Sequence, residues 1–380
     1  MATALPESRR RARIGLIVNP VAGIGGRVGL KGSDGRTIVE RAIALGAQPV
    51  APGRAAEVLG HLRDLAPSIE LATYPGPMGE DVARDAGFAP AVLGTLAGPD
   101  TTSDDTRRAC RDLAGWGADL ILFVGGDGTA RDVYSAIGTD VPTLGIPGGV
   151  KIHSSVFAVN PRCAADLVRS FLAGPRRFED QEVLDIDEDL FRVGVVSARL
   201  YGYLRVPYDA TLVQRAKAAS HADPGSLRSV AFGVIAEMDR DPDAMFILGP
   251  GSTIKAVTDE LGLGGTLLGV DLVHNRTIVG TDLGEADLLA LTSGRRTRIV
   301  VTVIGGQGYL FGRGNQQISP RLIAAAGRPN ILVAATVDKL QGLDGPLLVD
   351  TGDEVCDRAL AGYIRVITGE YERVMWQVAA

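Results

Sequence analysis

A chain of 380 residues is too long for one small core and points to two domains. Hydrophobic residues make up 46% and charged residues 22%, an ordinary globular balance, and a net charge of −6 argues against non-specific nucleic-acid binding. Cys110, Cys163 and Cys356 are widely spaced and form no Cys/His cluster, so they are expected to be reduced thiols rather than metal ligands. No run approaches the roughly 20 apolar residues of a membrane span, and the arginine-rich start has no apolar signal core. The expectation is a cytoplasmic protein with a small-molecule substrate and neither membrane nor nucleic-acid partners.

In chain order, Arg13 to Val18 reads as a first strand that ends at Asn19-Pro20. A glycine-rich loop follows, from Ala22 to Gly26. Thr37 to Leu45 looks helical, Pro49 to Ala51 strand-like or loop, Ala55 to Leu65 helical, and Ile69 to Thr73 a strand. Thr102 to Asp105 marks a helix start, because Thr, Ser and Asp side chains satisfy the unpaired N–H groups there. Leu120 to Val124 is a short apolar run that ends in Gly125-Gly126-Asp127-Gly128-Thr129 and leads into helical spacing from Ala130 to Ile137. Thr143 to Ile146 is the next strand, closed by Pro147-Gly148-Gly149. This alternation predicts an α/β domain with a mostly parallel sheet over residues 1–175.

The pattern changes afterwards. Short strands are expected at Glu182 to Ile186, Phe191 to Val196, Phe246 to Leu248, Arg298 to Ile304 and Ile331 to Ala335. Ile254 to Leu261 reads as a helix, and Asp209 to His221 as a helix or a mobile loop. Residues 176–359 are therefore expected to form a β-rich domain, and Tyr363 to Ile367 and Val374 to Val378 two final strands.

The segment Gly125 to Thr129 carries the most chemistry. Glycines after a buried strand let the backbone approach a ligand, and the following helix start favours a phosphate. A carboxylate there repels phosphate, so Asp127 needs its own reason. It suits a residue that positions Mg²⁺ on a phosphate, or one that accepts the proton of an attacking hydroxyl. The loop after Pro147 adds Lys151, His153 and Ser154 as candidate substrate contacts, with Ser154 and Ser155 also able to cap the next helix. In the second half, Gly251, Ser252 and Thr253 repeat the strand–glycine–helix arrangement, polar glycine-dense stretches run from Gly305 to Gly308 and from Gly314 to Gln317, and Gly251, Ser252, Thr253 and Asn315 are further candidate substrate contacts.

Together these residues resemble the signature shared by NAD kinases and diacylglycerol and sphingosine kinases, and more distantly phosphofructokinases. The wider pattern is most similar to the ATP-NAD kinase-like group that includes proteins associated with acetoin catabolism. It takes in Asn19-Pro20-Val21-Ala22-Gly23, Thr101-Thr102, Gly145 through Ser154, Gly249 to Thr253 and Gly314 to Gln317. The resemblance implies an α/β domain followed by a β-rich domain, with segment 360–380 packed back on the first. It implies an active site between the domains, ATP and Mg²⁺ as cofactors, and dimers or tetramers. Gly125, Gly126, Gly128 and Thr129 would hold nucleotide phosphates, Asn19 and Gly23 would flank ATP, and Asp127 would be the catalytic acid–base or metal-positioning residue. One departure bears on the acceptor. NAD kinases carry an Asn-Glu or Asn-Asp pair after the Asp motif, and this chain has no equivalent.

The leading expectation is thus an ATP- and Mg²⁺-dependent kinase acting on a hydroxyl of NAD or a related small polar metabolite. A nucleotide-binding accessory protein without turnover and a lipid kinase are the rivals. Under the leading reading, Asp127→Asn keeps the fold and ATP binding and loses most of its turnover.

Overall fold

The computed structural model describes residues 10–30, 36–98, 100–149, 152–174, 176–186, 198–209, 212–214, 223–343 and 345–380. The first unit contains β1 (Ala12–Val18), α1 (Arg36–Ala44), α2 (Ala51–His61), β2 (Ile69–Thr73), α3 (Glu80–Asp85) and β3 (Ala91–Val92). It continues through α4 (Ser103–Trp116), β4 (Leu120–Gly125), α5 (Asp127–Ile137), β5 (Thr143–Pro147) and α6 (Pro161–Ala173). Its five strands are parallel in the order β3-β2-β1-β4-β5. A parallel strand is covered on both faces, which is why β4 is apolar and buried at every position. Phe123 of β4 meets Phe157 edge to face, with centroids 5.3 Å apart.

Local sequence sets the boundaries. Thr102 and Asp105 form a reciprocal capping box at the start of α4, and Gly117 ends that helix in the left-handed conformation. The segment Pro49 to Ala51 is not a strand, because α2 begins at Ala51 with a proline in its first turn. Proline costs little there, since it removes only an N–H that has no intrahelical partner.

An antiparallel ribbon follows, β6 (Phe178–Ile186) with β7 (Ala198–Pro207). Its Val183, Leu204 and Val206 are buried in the core of the first unit. That core therefore extends beyond residue 175, where the sequence put the domain boundary. Residues 191–196 and most of 209–221, for which a strand and a helix or loop were expected, lie outside the described residues.

The second unit runs through α7 (Pro224–Asp239), β8 (Met245–Leu248), α8 (Ser252–Glu260), β9 (Asp271–His274), β10 (Thr277–Gly280), α9 (Glu285–Thr292) and β11 (Thr297–Thr302). It finishes with β12 (Tyr309–Phe311), α10 (Pro320–Ala326), β13 (Ile331–Ala334), α11 (Val337–Gln341), β14 (Leu347–Val349), α12 (Glu354–Leu360), β15 (Gly362–Ile367) and β16 (Arg373–Ala379). These strands form one mixed sheet of nine, in the order β10-β9-β8-β11-β13-β15-β16-β14-β12. The chain end does not return to the first unit as expected. β15 pairs with β13 and β16, and Ile364, Val366 and Val378 are buried in the second unit's own core. The edge that β13 offers, and the hairpin partner close in sequence, account for that placement.

Candidate active site

The chain passes from β1 outward through β2 and β3, then returns to the other side of β1 as β4. The loops after β1 and β4 therefore leave the sheet side by side, at the point where strand order reverses, which is where such sheets bind ligands. Asn19 N–H donates to Val124 O at 3.0 Å, and its Nδ2 donates to Thr129 Oγ1 at 3.0 Å. Asn19 and Thr129, both expected to face nucleotide, thus lock the two loops to each other. Gly125 and Gly126 close the strand, and Gly148 and Gly149 N–H both donate to Gly125 O, at 2.9 and 3.0 Å. Backbone approach is close: a Cβ on Gly149 would lie 2.7 Å from Gly126 Cα. Gly23, at φ +79°, leaves no room either, since its Cβ would fall 2.1 Å from Gly148 O.

Asp127 is the first residue of α5 and is only 6% exposed. Its charge is favoured by the positive end of the helix dipole. Its carboxylate is also held by the loop after β5. Oδ2 accepts from His153 N–H at 2.7 Å and lies 3.2 Å from His153 Nδ1. Oδ1 accepts from Ser154 N–H at 3.0 Å and from Ser154 Oγ–H at 2.6 Å. Ser154 Oγ also accepts from Leu184 N–H at 3.0 Å and stands 2.8 Å from Leu184 O, so β6 anchors the loop from behind. Ser154 is therefore no helix cap. The cap of α6 is Asn160, whose side chain accepts from Cys163 N–H. Lys151 lies outside the described residues.

A cleft of about 660 Å³ opens at the neighbouring Gly148-Gly149 turn, a volume within the usual range for small-molecule sites, but Asn19, Gly125 to Thr129, His153 and Ser154 are not among the residues that line it. Gly23 and Gly26 of the first loop, Gly148 and Gly149, and the second unit's Glu285, Gly312, Arg313 and Gln316 line it. Its floor carries a buried ion cluster. Arg54 Nη1 of α2 lies 2.6 Å from Asp350 Oδ1, and Arg313 Nη2 lies 3.0 Å from Asp350 Oδ2. Burial alone would lower the Arg54 pKa, but the Asp350 and Glu57 carboxylates outweigh it and raise it; burial pushes Glu57 above its ordinary value. Residues of this cluster carry no sequence signal, because Arg54 and Asp350 stand 296 positions apart.

The second-unit candidates sit elsewhere. Thr253, at the start of α8, accepts from Lys339 Nζ at 3.3 Å, and Gly251 N–H donates to Leu267 O. Asn315 is spent on its own turn, accepting from Gly312 N–H and donating to Leu310 O. Gly251, Ser252, Thr253 and Asn315 do not line the cleft among the described residues, whereas Gln316, the neighbour of Asn315, does. Gln307 reaches the first unit, donating to Ile152 O at 3.0 Å.

For a nucleotide, the donor set fits: α5 starts behind two glycines with no side chain capping its first turn, an arrangement suited to phosphate. For a resident metal it does not. Among the described residues no group of three His, Cys, Asp or Glu side chains could hold an ion, and both Asp127 oxygens already accept bonds. Thiol chemistry is also disfavoured. Burial pushes Cys110 up to about 12 and Cys163 and Cys356 to about 11. At pH 8 the thiolate fraction of each is then on the order of 10⁻³ or lower, and labelling of native protein with a chromogenic disulfide should run roughly 100-fold slower than for free cysteine. A rapid burst from one thiol would contradict this.

Fold and site together define a two-unit α/β protein with its candidate site at the switch point of a parallel sheet. Family models match in two consecutive stretches: the ATP-NAD kinase N-terminal domain over residues 14–175 and the ATP-NAD kinase C-terminal domain over residues 242–378. The chain belongs to the ATP-NAD kinase family, whose domains are those of a kinase-type phosphotransferase. No curated protein matched the sequence. Among solved structures, a putative diacylglycerol kinase from Bacillus anthracis str. Sterne aligns at 14% identity and a TM-score of 0.23, over 63% of this chain and 60% of its own. The chain thus spans less than two thirds of that structure. A UDP-N-acetylglucosamine 2-epimerase aligns at 10% identity and a TM-score of 0.28, over 92% of this chain and 86% of its own. Among the described residues, no helix is long and apolar enough to cross a membrane.

Proposed function

We propose that this protein is an ATP-dependent kinase that transfers the γ-phosphoryl group to a hydroxyl of NAD or a related small polar metabolite, Mg²⁺ arriving with the nucleotide. The observation that carries this reading is the buried Asp127 carboxylate at an uncapped helix start, networked to His153 and Ser154 behind the Gly148-Gly149 turn that lines the cleft. In this reading the N–H groups at the start of α5 and the glycine loops hold phosphate, and the Asp127 network takes up the hydroxyl proton as the O–P bond forms. The cleft between the two units takes the nucleotide and the acceptor. Likeness to the group associated with acetoin catabolism, assembly into dimers or tetramers, and a cytoplasmic setting belong to the same proposal.

Incubation with Mg-ATP and NAD, with products read by mass spectrometry, tests it. NADP is the expected product. If NADP is absent but a different hydroxyl metabolite is phosphorylated, the acceptor changes and the reaction class stays.

A second reading has its own support. Asp127 accepts four hydrogen bonds within the protein, which suits a structural anchor in a nucleotide-binding accessory protein. It predicts saturable Mg-ATP binding with no phosphorylated product from any acceptor.

A further inference from the structure

One wall of the cleft carries a carboxylate without a partner. Glu285, the first residue of α9, is half-buried and lines the cleft from the second unit. Its side chain makes no hydrogen bond or ion pair among the described residues, and its Oε1 is covered by protein. A carboxylate in the first turn of a helix gains from the helix dipole, which accounts for an acid at this position. It does not account for a covered oxygen without a donor, because burying such an atom costs free energy. The backbone fixes the residue in place. Glu285 N–H donates to Arg27 O of the first unit at 3.0 Å, and a Cβ on Gly284 would lie 3.6 Å from that same oxygen. Glu285 thus sits on the seam where the two units close the cleft.

The charges around it decide what it can meet. On the cleft floor, Arg54 and Arg313 are balanced by Asp350 and Glu57. Arg27 and Asp287 line the cleft near Glu285, both exposed, and no ion pair joins Arg27 to Glu285. Two carboxylates on this wall repel a phosphate group. What fits is a group that donates hydrogen bonds and carries no negative charge, and an ionised carboxylate can only accept. A hydroxyl-bearing acceptor offers such a group when it has more than the one hydroxyl that reacts.

Resting on the kinase reading above, we propose that Glu285 sets acceptor specificity by accepting a hydrogen bond from a second hydroxyl, one that is not phosphorylated. The acceptor is therefore a polyol, meaning a sugar or ribosyl compound, rather than a simple alcohol. A carboxylate holds a ribose hydroxyl in this way at dinucleotide sites of other folds. Glu285 binds the acceptor, and proton uptake stays with the Asp127 network.

Binding to the full chain tests this, with Mg²⁺ and a non-hydrolysable ATP analogue filling the nucleotide site. NAD and ribose 5-phosphate are each compared by calorimetry with the counterpart built on 2-deoxyribose. The wild type should prefer the hydroxylated probe of at least one pair about tenfold or more, the size of a hydrogen bond to a charged group. Glu285→Ala should cut that preference below about twofold, and Glu285→Gln, which keeps a neutral acceptor, should retain part of it. Affinity for Mg-ATP should stay within about threefold in both variants. Their melting midpoints should stay within about 3 °C of wild type, because no bond inside the protein is lost. No binding of any probe, no preference in the wild type, or an undiminished preference in Glu285→Ala overturns the proposal. Tighter binding of the 2-amino analogue of ribose 5-phosphate also overturns it, since the wall would then be an ammonium site. A wild type that shows the preference but transfers no phosphate ends the kinase reading and leaves the hydroxyl contact in place.

Discussion

Asp350→Ala should cost about 3–5 kcal/mol, the cost of leaving buried charge unpaired. Asp350 is 2% exposed and lies between two guanidinium groups, Arg54 at 2.6 Å and Arg313 at 3.0 Å. Its removal leaves two buried cations with each other, since Glu57 stands farther from Arg54, at 3.8 Å. Arg313 keeps its bond to Val159 O and its place over the Tyr309 ring, and Arg54 keeps a long bond to the Asp350 carbonyl. The pair also joins the units, because Arg54 belongs to α2 and Asp350 follows β14. Thermal unfolding is the check, with a midpoint lowered by roughly 10 °C. A shift under about 2 °C would mean that the cluster is solvated in solution and that the cleft floor is not as described.

Substitution of Asp127 has the largest expected effect on activity. Asp127→Asn places an NH₂ group against one of the N–H donors of His153 or Ser154, and each lost partner in a buried site costs about 1–3 kcal/mol. The same change removes the carboxylate that takes up the hydroxyl proton in this reading, and turnover should fall by about 10²–10⁴-fold. The variant should keep its fold with reduced stability, and lose rate. Melting and turnover measured side by side, with Mg-ATP binding as a third readout, separate the two effects. Unchanged melting and unchanged turnover would remove Asp127 from both roles.

What the sequence disclosed follows from how local each feature is. The glycine–Asp motif was legible because a buried strand, a turn and a helix start are written in neighbouring residues. So was the Thr102 cap, whose partner is three positions away. The helix α7 was not, because its start, Pro224-Gly225-Ser226, has the composition of a loop; Asp223 caps it by accepting from Ser226 N–H. The link from Asp127 to His153 spans 26 residues and exists only because β5 lies beside β4. For the same reason His153 was readable as a candidate contact but not as the partner of Asp127. The final strands were recognised, yet their place in the sheet was not, since pairing of β13 with β15 is set by distant residues.

The most direct measurement follows the γ-phosphate itself. ATP labelled at that position would be incubated with the protein and a pool of small polar hydroxyl metabolites that includes NAD. The account predicts label on a hydroxyl metabolite with the wild type and almost none with Asp127→Asn. Label that stays on ATP despite tight nucleotide binding, or appears only as inorganic phosphate, would contradict it.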